Sequence, residues 1–147
     1  MSNPNLSAYV ADHLRACQLK QLSILEEVDR ICKKHGIGYW LDGGSLLGAV
    51  RHGGFIPWDD DIDIGMTKSD LERFEKIAPA ELPETLFLQT RRSDPAHKSS
   101  VVKIRDRNSL YIEDADFFKS DYEKGLFIDI FPFVSCPSMP KSWVKRL

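Results

Sequence analysis

Residues 41–66 read LDGGSLLGAVRHGGFIPWDDDIDIGM, and this stretch decides the fold. It ends in a cluster of four carboxylates: Asp59, Asp60, Asp61 and Asp63. Two like charges about 4 Å apart repel by roughly 1 kcal/mol in bulk water, and by more near a protein surface. A cluster of this kind inside a hydrophobic segment opposes folding unless a cation neutralises it. A hard divalent metal ion, which prefers oxygen ligands, is the simplest candidate.

Acidic and apolar residues alternate in DIDIGM, residues 61–66. A period of two predicts a β-strand with Asp61 and Asp63 on one face and the apolar side chains on the other. Residues two apart on a strand are roughly 6 to 7 Å apart at Cα. Both carboxylates can then hold one ion, or two ions about 3.5 to 4 Å apart. Asp59 has the same parity and is a candidate extra acid, whereas Asp60 points away if the strand already begins there.

A glycine pair precedes the acids, between a predicted strand (residues 37–41) and a predicted short helix (residues 46–50). Gly43 and Gly44 allow the backbone to approach a ligand closely, and Ser45 is a suitable helix N-cap. The N–H groups at a helix start attract phosphate. A glycine pair alone is more often an ordinary turn. Followed by an acidic strand, it predicts a phosphate-binding turn.

Two pairs of basic residues are candidates for contacts with substrate phosphates. Arg51 and His52 follow the short helix and precede the acidic strand, but they equally fit charge complementation at a helix C-terminus. Lys103 and Arg105 share one face of a predicted strand over residues 100–106. For this second pair, the alternative is a solvated face of the sheet.

One further acid lies inside the apolar run LFIDIFPF, residues 126–133. A carboxylate in a buried strand is costly unless it is paired or bound to a metal. Asp129 is therefore the candidate third metal ligand, brought beside Asp61 and Asp63 by strand pairing. The alternative is an acid at a strand end that caps a neighbouring element.

The rest of the chain supplies the scaffold. Residues 7–34 repeat apolar side chains at three- and four-residue intervals and predict a long amphipathic helix, which ends at Gly36. Residues 69–77 begin with a capping-box pattern and predict another helix. Residues 86–90 predict a strand, and residues 111–113 are a candidate hairpin partner of the basic strand. We expect an α/β fold, with a short mixed sheet that carries the carboxylates and helices packed against it.

Composition limits the function. The chain has 147 residues, 42% hydrophobic and 29% charged, which predicts one globular domain over residues 1–147 with a helical segment over residues 1–36 packed on it. The net charge of −2 gives no reason to expect a nucleic-acid partner. The N-terminus lacks the pattern of a signal peptide, and no run approaches the ~20 apolar residues of a membrane span. We expect a cytoplasmic protein, with peripheral membrane contact if its acceptor is lipid-linked.

The sequence of residues 41–66 resembles the motif of the LicD family, which lies within the nucleotidyltransferase (DNA polymerase β-like) fold superfamily. That family includes bacterial phosphocholine transferases and, more distantly, the fukutin-type enzymes. The similarity continues in VKIRD, residues 102–106, and in GLFIDIFP, residues 125–132, so that it covers roughly residues 20–135. The family usually continues beyond this point, so a truncated chain or a natural short form is expected.

The resemblance implies a phosphotransferase. It implies transfer of a substituted phosphate, such as phosphocholine, from a CDP-activated donor such as CDP-choline, with release of CMP. The acceptor would be a hydroxyl of a cell-surface glycan or glycolipid, for example lipopolysaccharide or teichoic acid. Asp61, Asp63 and Asp129 would be the catalytic residues that hold Mg²⁺ or Mn²⁺. Two alternatives stay open: an orthodox nucleotidyltransferase that releases pyrophosphate, and a catalytically inactive nucleotide-binding fragment.

Overall fold

A computed structural model describes residues 4–111 and 121–135. In chain order these residues form α1 (Pro4–His35), β1 (Trp40–Leu41), α2 (Gly43–His52), β2 (Asp63–Thr67), α3 (Lys68–Glu81), β3 (Leu86–Gln89), β4 (Val102–Asp106) and β5 (Phe127–Phe133). The strands make one sheet in the order β1-β2-β5-β4-β3. β2 and β5 run parallel, and the other neighbouring pairs are antiparallel. The predicted α/β fold with a mixed sheet is confirmed.

The core lies between the sheet and the helices α1 and α3. Alternation in the acidic stretch decides which side chains enter it, because Ile62, Ile64 and Met66 are buried while Asp63 stays partly exposed. The other core side chains come from α1, α3 and the remaining strands, among them Ile24, Val28, Ile31, Leu71, Phe74, Leu88, Ile104, Ile128 and Ile130. β2 lies in the interior of the sheet between β1 and β5, and β5 occupies the centre.

The acidic strand begins later than predicted, at Asp63 instead of Asp61. A turn precedes it, in which the N–H of Asp59 donates to the carbonyl of Ile56 at 3.0 Å. Pairing with β5 starts at Asp63, so residues 59–61 form a loop. The parity argument therefore does not apply to Asp60, which is free to turn toward its acidic neighbours.

The glycine pair lies inside α2, which begins at Gly43 and not at the predicted residue 46. Asp42 is the N-cap, and its side chain makes no capping hydrogen bond. Ser45 is therefore not the N-cap. Its hydroxyl instead accepts the N–H of Asp63 at 2.9 Å and ties α2 to the start of β2. Gly43, the first residue of this helix, has a positive φ of 49°, which a residue without Cβ adopts readily.

Other predicted boundaries shift by a few residues. β1 keeps only two of the five predicted residues, since only Trp40 and Leu41 pair with β2. α3 begins earlier because Thr67, not Ser69, is its N-cap, accepting the N–H of Asp70. It also continues past the predicted end and through Pro79. The predicted hairpin strand 111–113 lies outside the described residues apart from its first residue.

Candidate active site

Strand pairing brings the predicted acids together. Asp63 at the start of β2 is the register partner of Asp129 on the parallel neighbour β5, and neighbouring strands lie about 4.8 Å apart. The N–H of Asp129 also donates to the carbonyl of Ile62 at 2.9 Å. Asp61 lies in the loop directly before β2, close enough for the charge of Asp129 to act on it. Three carboxylates thus meet beside the start of β2, two from this part of the chain and one from β5.

The loop adds two more acids. Asp59, Asp60 and Asp61 each place a carboxylate oxygen within 4.8 Å of the others. This set contains one of the predicted ligands, Asp61, and the predicted extra acid, Asp59, together with Asp60, which strand parity ranked lower. Asp60 is exposed, and the hydroxyl of Tyr111 donates to its carboxylate at 2.8 Å. Because a cation gains more by neutralising buried charge, we centre the candidate site on Asp61 and its partly buried neighbours in the sheet, with Asp59 as the nearest extra acid.

Burial raises the pKa values of the three predicted ligands, and the proximity of other carboxylates raises those of Asp61 and Asp63 further. Burial, followed by the charges of Asp61 and Asp129, raises the pKa of Asp63 to about 6. Burial and the charges of Asp59, Asp60 and Asp129 raise the pKa of Asp61. Burial also raises the pKa of Asp129, although the Lys103 ammonium opposes this change. Each of the three predicted metal ligands therefore resists ionisation when no cation is present.

The N-terminus of α2 faces this acidic centre. A Cβ added to Gly44 would lie 2.9 Å from Oδ2 of Asp59, and one added to Gly43 would lie 3.3 Å from Oδ2 of Asp63. The positive end of the helix dipole stabilises negative charge at this distance. The glycines predicted to cradle phosphate thus contact the carboxylates themselves. Asp42, which sequence reasoning missed, also belongs here, because its charge acts on Asp63.

Lys103 and Arg105 lie on β4 beside the third acid, and neither is on a solvated face. Lys103 is 7% exposed and Arg105 is 1% exposed. The ammonium of Lys103 lies 2.9 Å from Oδ1 of Asp129. The guanidinium of Arg105 donates to the side-chain oxygen of Gln89 at 2.7 Å and to the carbonyl of Gly125 at 2.8 Å. Lys103 therefore belongs to the acidic centre, whereas Arg105 acts on Asp129 through its charge from within the core.

A buried polar network behind Arg105 escaped sequence reasoning. Gln89, which is fully buried, donates to Oδ2 of Asp94 at 2.8 Å. The same oxygen accepts the backbone N–H of Glu123 at 3.0 Å. Asp94 lies in the polar stretch between β3 and β4, whose composition gave no sign of burial. The network fixes the guanidinium of Arg105.

Arg51 and His52 lie at the other end of α2 from the acids. They occupy the last turn of the helix, eight and nine residues after Gly43, which is roughly 12 to 13 Å along the axis. Both are exposed, and the ring of His52 packs edge-on against Trp58, with centroids 6.5 Å apart. Their position fits charge complementation of the helix C-terminus. Contact with substrate phosphates stays a prediction for this pair.

Helix α1 holds the acidic loop in place, a role that its amphipathic pattern did not indicate. Gln18 and Gln21 are buried. The side-chain amide of Gln18 donates to the carbonyl of Asp59 at 2.8 Å, and that of Gln21 donates to the carbonyl of Asp60 at 2.8 Å. In the sequence, these two glutamines interrupt the apolar face of the predicted helix. That interruption was visible, but it did not identify the loop that they bind. Because they bond to backbone carbonyls, they fix the backbone of the loop and leave its carboxylates uncovered by α1.

The residues present fit a divalent cation. The centre offers only carboxylate oxygens, the ligands that Mg²⁺ and Mn²⁺ prefer. Around Asp61 these oxygens lie close together, since Asp59, Asp60 and Asp61 each place one carboxylate oxygen within 4.8 Å of the others. Crowded, partly buried carboxylates with raised pKa values are the environment that a bound cation relieves. Asp61, Asp63 and Asp129 would hold the ion, with Asp59 in reach.

Comparisons with known proteins point to one family. The profile of the family described as "LicD/FKTN/FKRP, nucleotidyltransferase domain" matches residues 36–146. The lipopolysaccharide cholinephosphotransferase LicD of Haemophilus influenzae is 39% identical over 129 residues, which is 87% of this chain and 47% of that protein. The human ribitol 5-phosphate transferase FKRP is 37% identical over 100 residues, 67% of this chain and 17% of that protein.

A more distant relative extends the comparison to yeast. The mannosyltransferase regulator 4 of Saccharomyces cerevisiae is 26% identical over 134 residues, which is 87% of this chain and 11% of that protein. The chain spans less than half the length of each of these three relatives. Across the described residues, no helix combines the length and the apolar character that crossing a membrane requires.

Proposed function

The chain belongs to the LicD family of nucleotidyltransferase domains, and from that premise we propose that it transfers a substituted phosphate from a nucleotide-activated donor to a hydroxyl of a glycan. The donor is a CDP-alcohol such as CDP-choline, and CMP is the leaving group. The acceptor is a cell-surface glycan or a lipid-linked glycan. Two relatives support this class of reaction, since one is named a lipopolysaccharide cholinephosphotransferase and the other a ribitol 5-phosphate transferase.

One observation carries the proposal: Asp63 and Asp129 are register partners beside the start of α2. Phosphoryl transfer requires little covalent chemistry from the protein, so catalysis depends on positioning and charge. A carboxylate pair next to a helix N-terminus supplies both requirements, because the acids hold a cation while the helix N–H groups attract phosphate oxygens. Sheet pairing fixes this geometry before substrate binds.

Each residue of the site has a role in this proposal. Asp61, Asp63 and Asp129 would hold Mg²⁺ or Mn²⁺ at the donor phosphates. When bound, the ion supplies positive charge that polarises a phosphoryl oxygen. The N–H groups of Gly43 and Gly44 donate to phosphate oxygens. Ser45 already accepts the N–H of Asp63, and its own hydroxyl proton is still available for donation to the donor phosphate.

The basic residues divide into two groups. Lys103 lies within the acidic centre, so its charge offsets that of Asp129 and of an incoming phosphate. Arg105 strengthens the positive potential from the core without reaching solvent. Arg51 and His52, in the last turn of α2, are proposed to contact outer parts of a bound substrate.

Turnover followed by ³¹P NMR tests the proposed reaction. The full chain is incubated with Mg²⁺, lipopolysaccharide as acceptor, and either CDP-choline, another CDP-alcohol or a nucleoside triphosphate. We expect CMP release from a CDP-alcohol, reduced by roughly 100-fold or more in Asp61→Asn and Asp63→Asn because charge stabilisation of this size is typical of a lost catalytic contact. The exposed Asp12→Asn variant is the matched control and keeps full turnover.

The other outcomes separate the alternatives. Pyrophosphate release from a triphosphate, without CMP release from any CDP-alcohol, would show an orthodox nucleotidyltransferase. Binding of CDP-choline without release of any product would show a catalytically inactive nucleotide-binding domain. Turnover that persists in both Asn variants would contradict the assignment of the site.

A further inference from the structure

Lys103 is a buried cation in direct contact with the third acid of the site. Its ammonium lies 2.9 Å from Oδ1 and 3.2 Å from Oδ2 of Asp129. The side chains are 9% and 16% exposed, respectively. Lysine is rarely buried unless it is paired, and both oxygens of its partner here are within reach. The ammonium thus covers one side of the Asp129 carboxylate.

The backbone and an aromatic ring fix the position of this ammonium. Lys103 and Asp129 are register partners across β4 and β5. The ammonium also lies 3.3 Å from the centroid of the Phe127 ring, where a cation is attracted to the face of the ring. The guanidinium of Arg105 lies over the same ring at 4.5 Å. This arrangement differs from a flexible surface ion pair, because strand register, ring and burial all hold Lys103 in place.

A fixed positive charge at this position bears on how many metal ions the acids can hold. Two-metal phosphotransfer sites place two divalent ions about 3.5 to 4 Å apart, bridged by carboxylates. A second ion at Asp129 would have to share that carboxylate with the ammonium. Repulsion between the ammonium and a divalent ion about 5 Å away disfavours that second ion, and the repulsion is stronger near a protein interior than in bulk water.

We propose that Lys103 takes the place of a second divalent cation, so that the acidic centre binds a single metal ion. The inference rests on the metal-dependent function proposed above and specifies the cation set of that site. Asp129 would hold the metal together with Asp61 and Asp63, while Lys103 neutralises part of the charge of Asp129. Lys103 is a positioning residue in this account, since it acts through Asp129.

Stoichiometry of Mn²⁺ binding tests the proposal. The full chain is stripped of metal with a chelator and titrated with Mn²⁺, and binding is followed by calorimetry and by electron paramagnetic resonance. We expect one Mn²⁺ per wild-type chain, with the signal of an isolated ion. Lys103→Met should bind a second Mn²⁺, or bind the first about tenfold more tightly, because the repulsive charge is gone. Lys103→Arg keeps the charge and should behave as wild type.

The matched control is Lys76→Met, which removes the same charge from an exposed position on α3. It should leave stoichiometry and affinity unchanged. Two magnetically coupled Mn²⁺ ions in the wild-type chain would overturn the inference while leaving metal-dependent phosphotransfer in place. Equal stoichiometry and affinity in wild type and in a folded Lys103→Met would also overturn it. Absence of Mn²⁺ binding in the wild type would remove the metal from the proposed function itself.

Discussion

At the scale of single residues, the site depends on glycines that give room to carboxylates. Gly44 has no side chain, and this leaves room for the Asp59 carboxylate. A Cβ added to Gly44 would lie only 2.9 Å from Oδ2 of Asp59. The nearby Gly54 has open space around the equivalent position. Both glycines were visible in the sequence, but only the structure distinguishes the one that contacts an acid.

A substitution at Gly44 is expected to change Mn²⁺ affinity while leaving the free energy of unfolding nearly unchanged. Gly44→Ala should push the Asp59 carboxylate away and weaken Mn²⁺ binding several-fold. The free energy of unfolding should change by less than about 1 kcal/mol, because the contact is with a flexible side chain and alanine favours helix. Calorimetric titration and urea unfolding measure the two quantities. Gly54→Ala is the control, and an equal loss of Mn²⁺ affinity in both variants would refute the assigned contact.

The raised pKa of Asp63 predicts a pH dependence of stability in the metal-free chain. The pKa is about 6 when folded against 3.8 ordinarily, so the folded state binds more protons than the unfolded chain between these values. Protonated Asp63 therefore contributes to the free energy of unfolding fully below pH 3.8, and this contribution is lost as the pH rises through about 6. Urea unfolding with a chelator present should therefore show a fall over this window that is smaller in Asp63→Asn. The same slope in both proteins would contradict the shift.

At the scale of elements, the sequence predicted which segments form helices and strands but not how they support the site. Period-two alternation identified β2, and an acid in an apolar run identified β5. The spacing of α1 identified its buried face, yet the role of Gln18 and Gln21 depends on a loop about 40 positions away in the chain. Long-range partners of this kind leave no local pattern, which is why they escaped prediction.

The contribution of α1 to the site can be measured through Gln21. Gln21→Met keeps a long side chain but leaves the carbonyls of Asp60 and Phe127 without this donor. Unsatisfied buried acceptors cost about 1 to 3 kcal/mol, and Mn²⁺ affinity should fall because the acidic loop loosens. Glu26→Met, at an exposed position of the same helix, should change neither quantity. If Gln21→Met also leaves both unchanged, α1 does not hold the loop.

The two-residue strand β1 depends on packing of Trp40 over Gly65, its register partner. A Cβ on Gly65 would lie 2.4 Å from the indole ring, and the ring also packs edge-on against Phe133 with centroids 4.9 Å apart. Gly65→Ala should therefore destabilise the chain by about 1 to 3 kcal/mol. In a double-mutant cycle, Trp40→Ala should relieve most of this cost. Additive effects of the two substitutions would contradict the packing.

At the scale of the whole molecule, the sheet order explains why acids from distant parts of the chain converge. The parallel pairing of β2 and β5 places Asp63 next to Asp129, and the antiparallel β4 then places Lys103 next to Asp129. The sequence predicted that Asp129 joins the acids, because an isolated buried carboxylate needs a partner. It did not predict that the partner in the metal-free chain is Lys103, since strand order cannot be read from spacing.

The loop acids mark the other limit of sequence reasoning. Strand parity ranked Asp60 below the other acids, but parity holds only where a residue is in a strand, and β2 begins at Asp63. Likewise, the pair Arg51 and His52 is close to the acids in the sequence and lies at the far end of α2 in space. The residue types predicted a cluster of carboxylates. Which carboxylates belong to that cluster depends on strand pairing, which only the structure shows.

The central claim is that Asp61, Asp63 and Asp129 hold a divalent cation. Anomalous X-ray diffraction from crystals of the full chain soaked in Mn²⁺ tests it most directly. We predict a single anomalous peak within about 2.0 to 2.3 Å of carboxylate oxygens from these three residues, with Lys103 still in contact with Asp129. A peak held by Asp59 and Asp60 away from Asp129, or no peak at the acidic centre, would contradict the account.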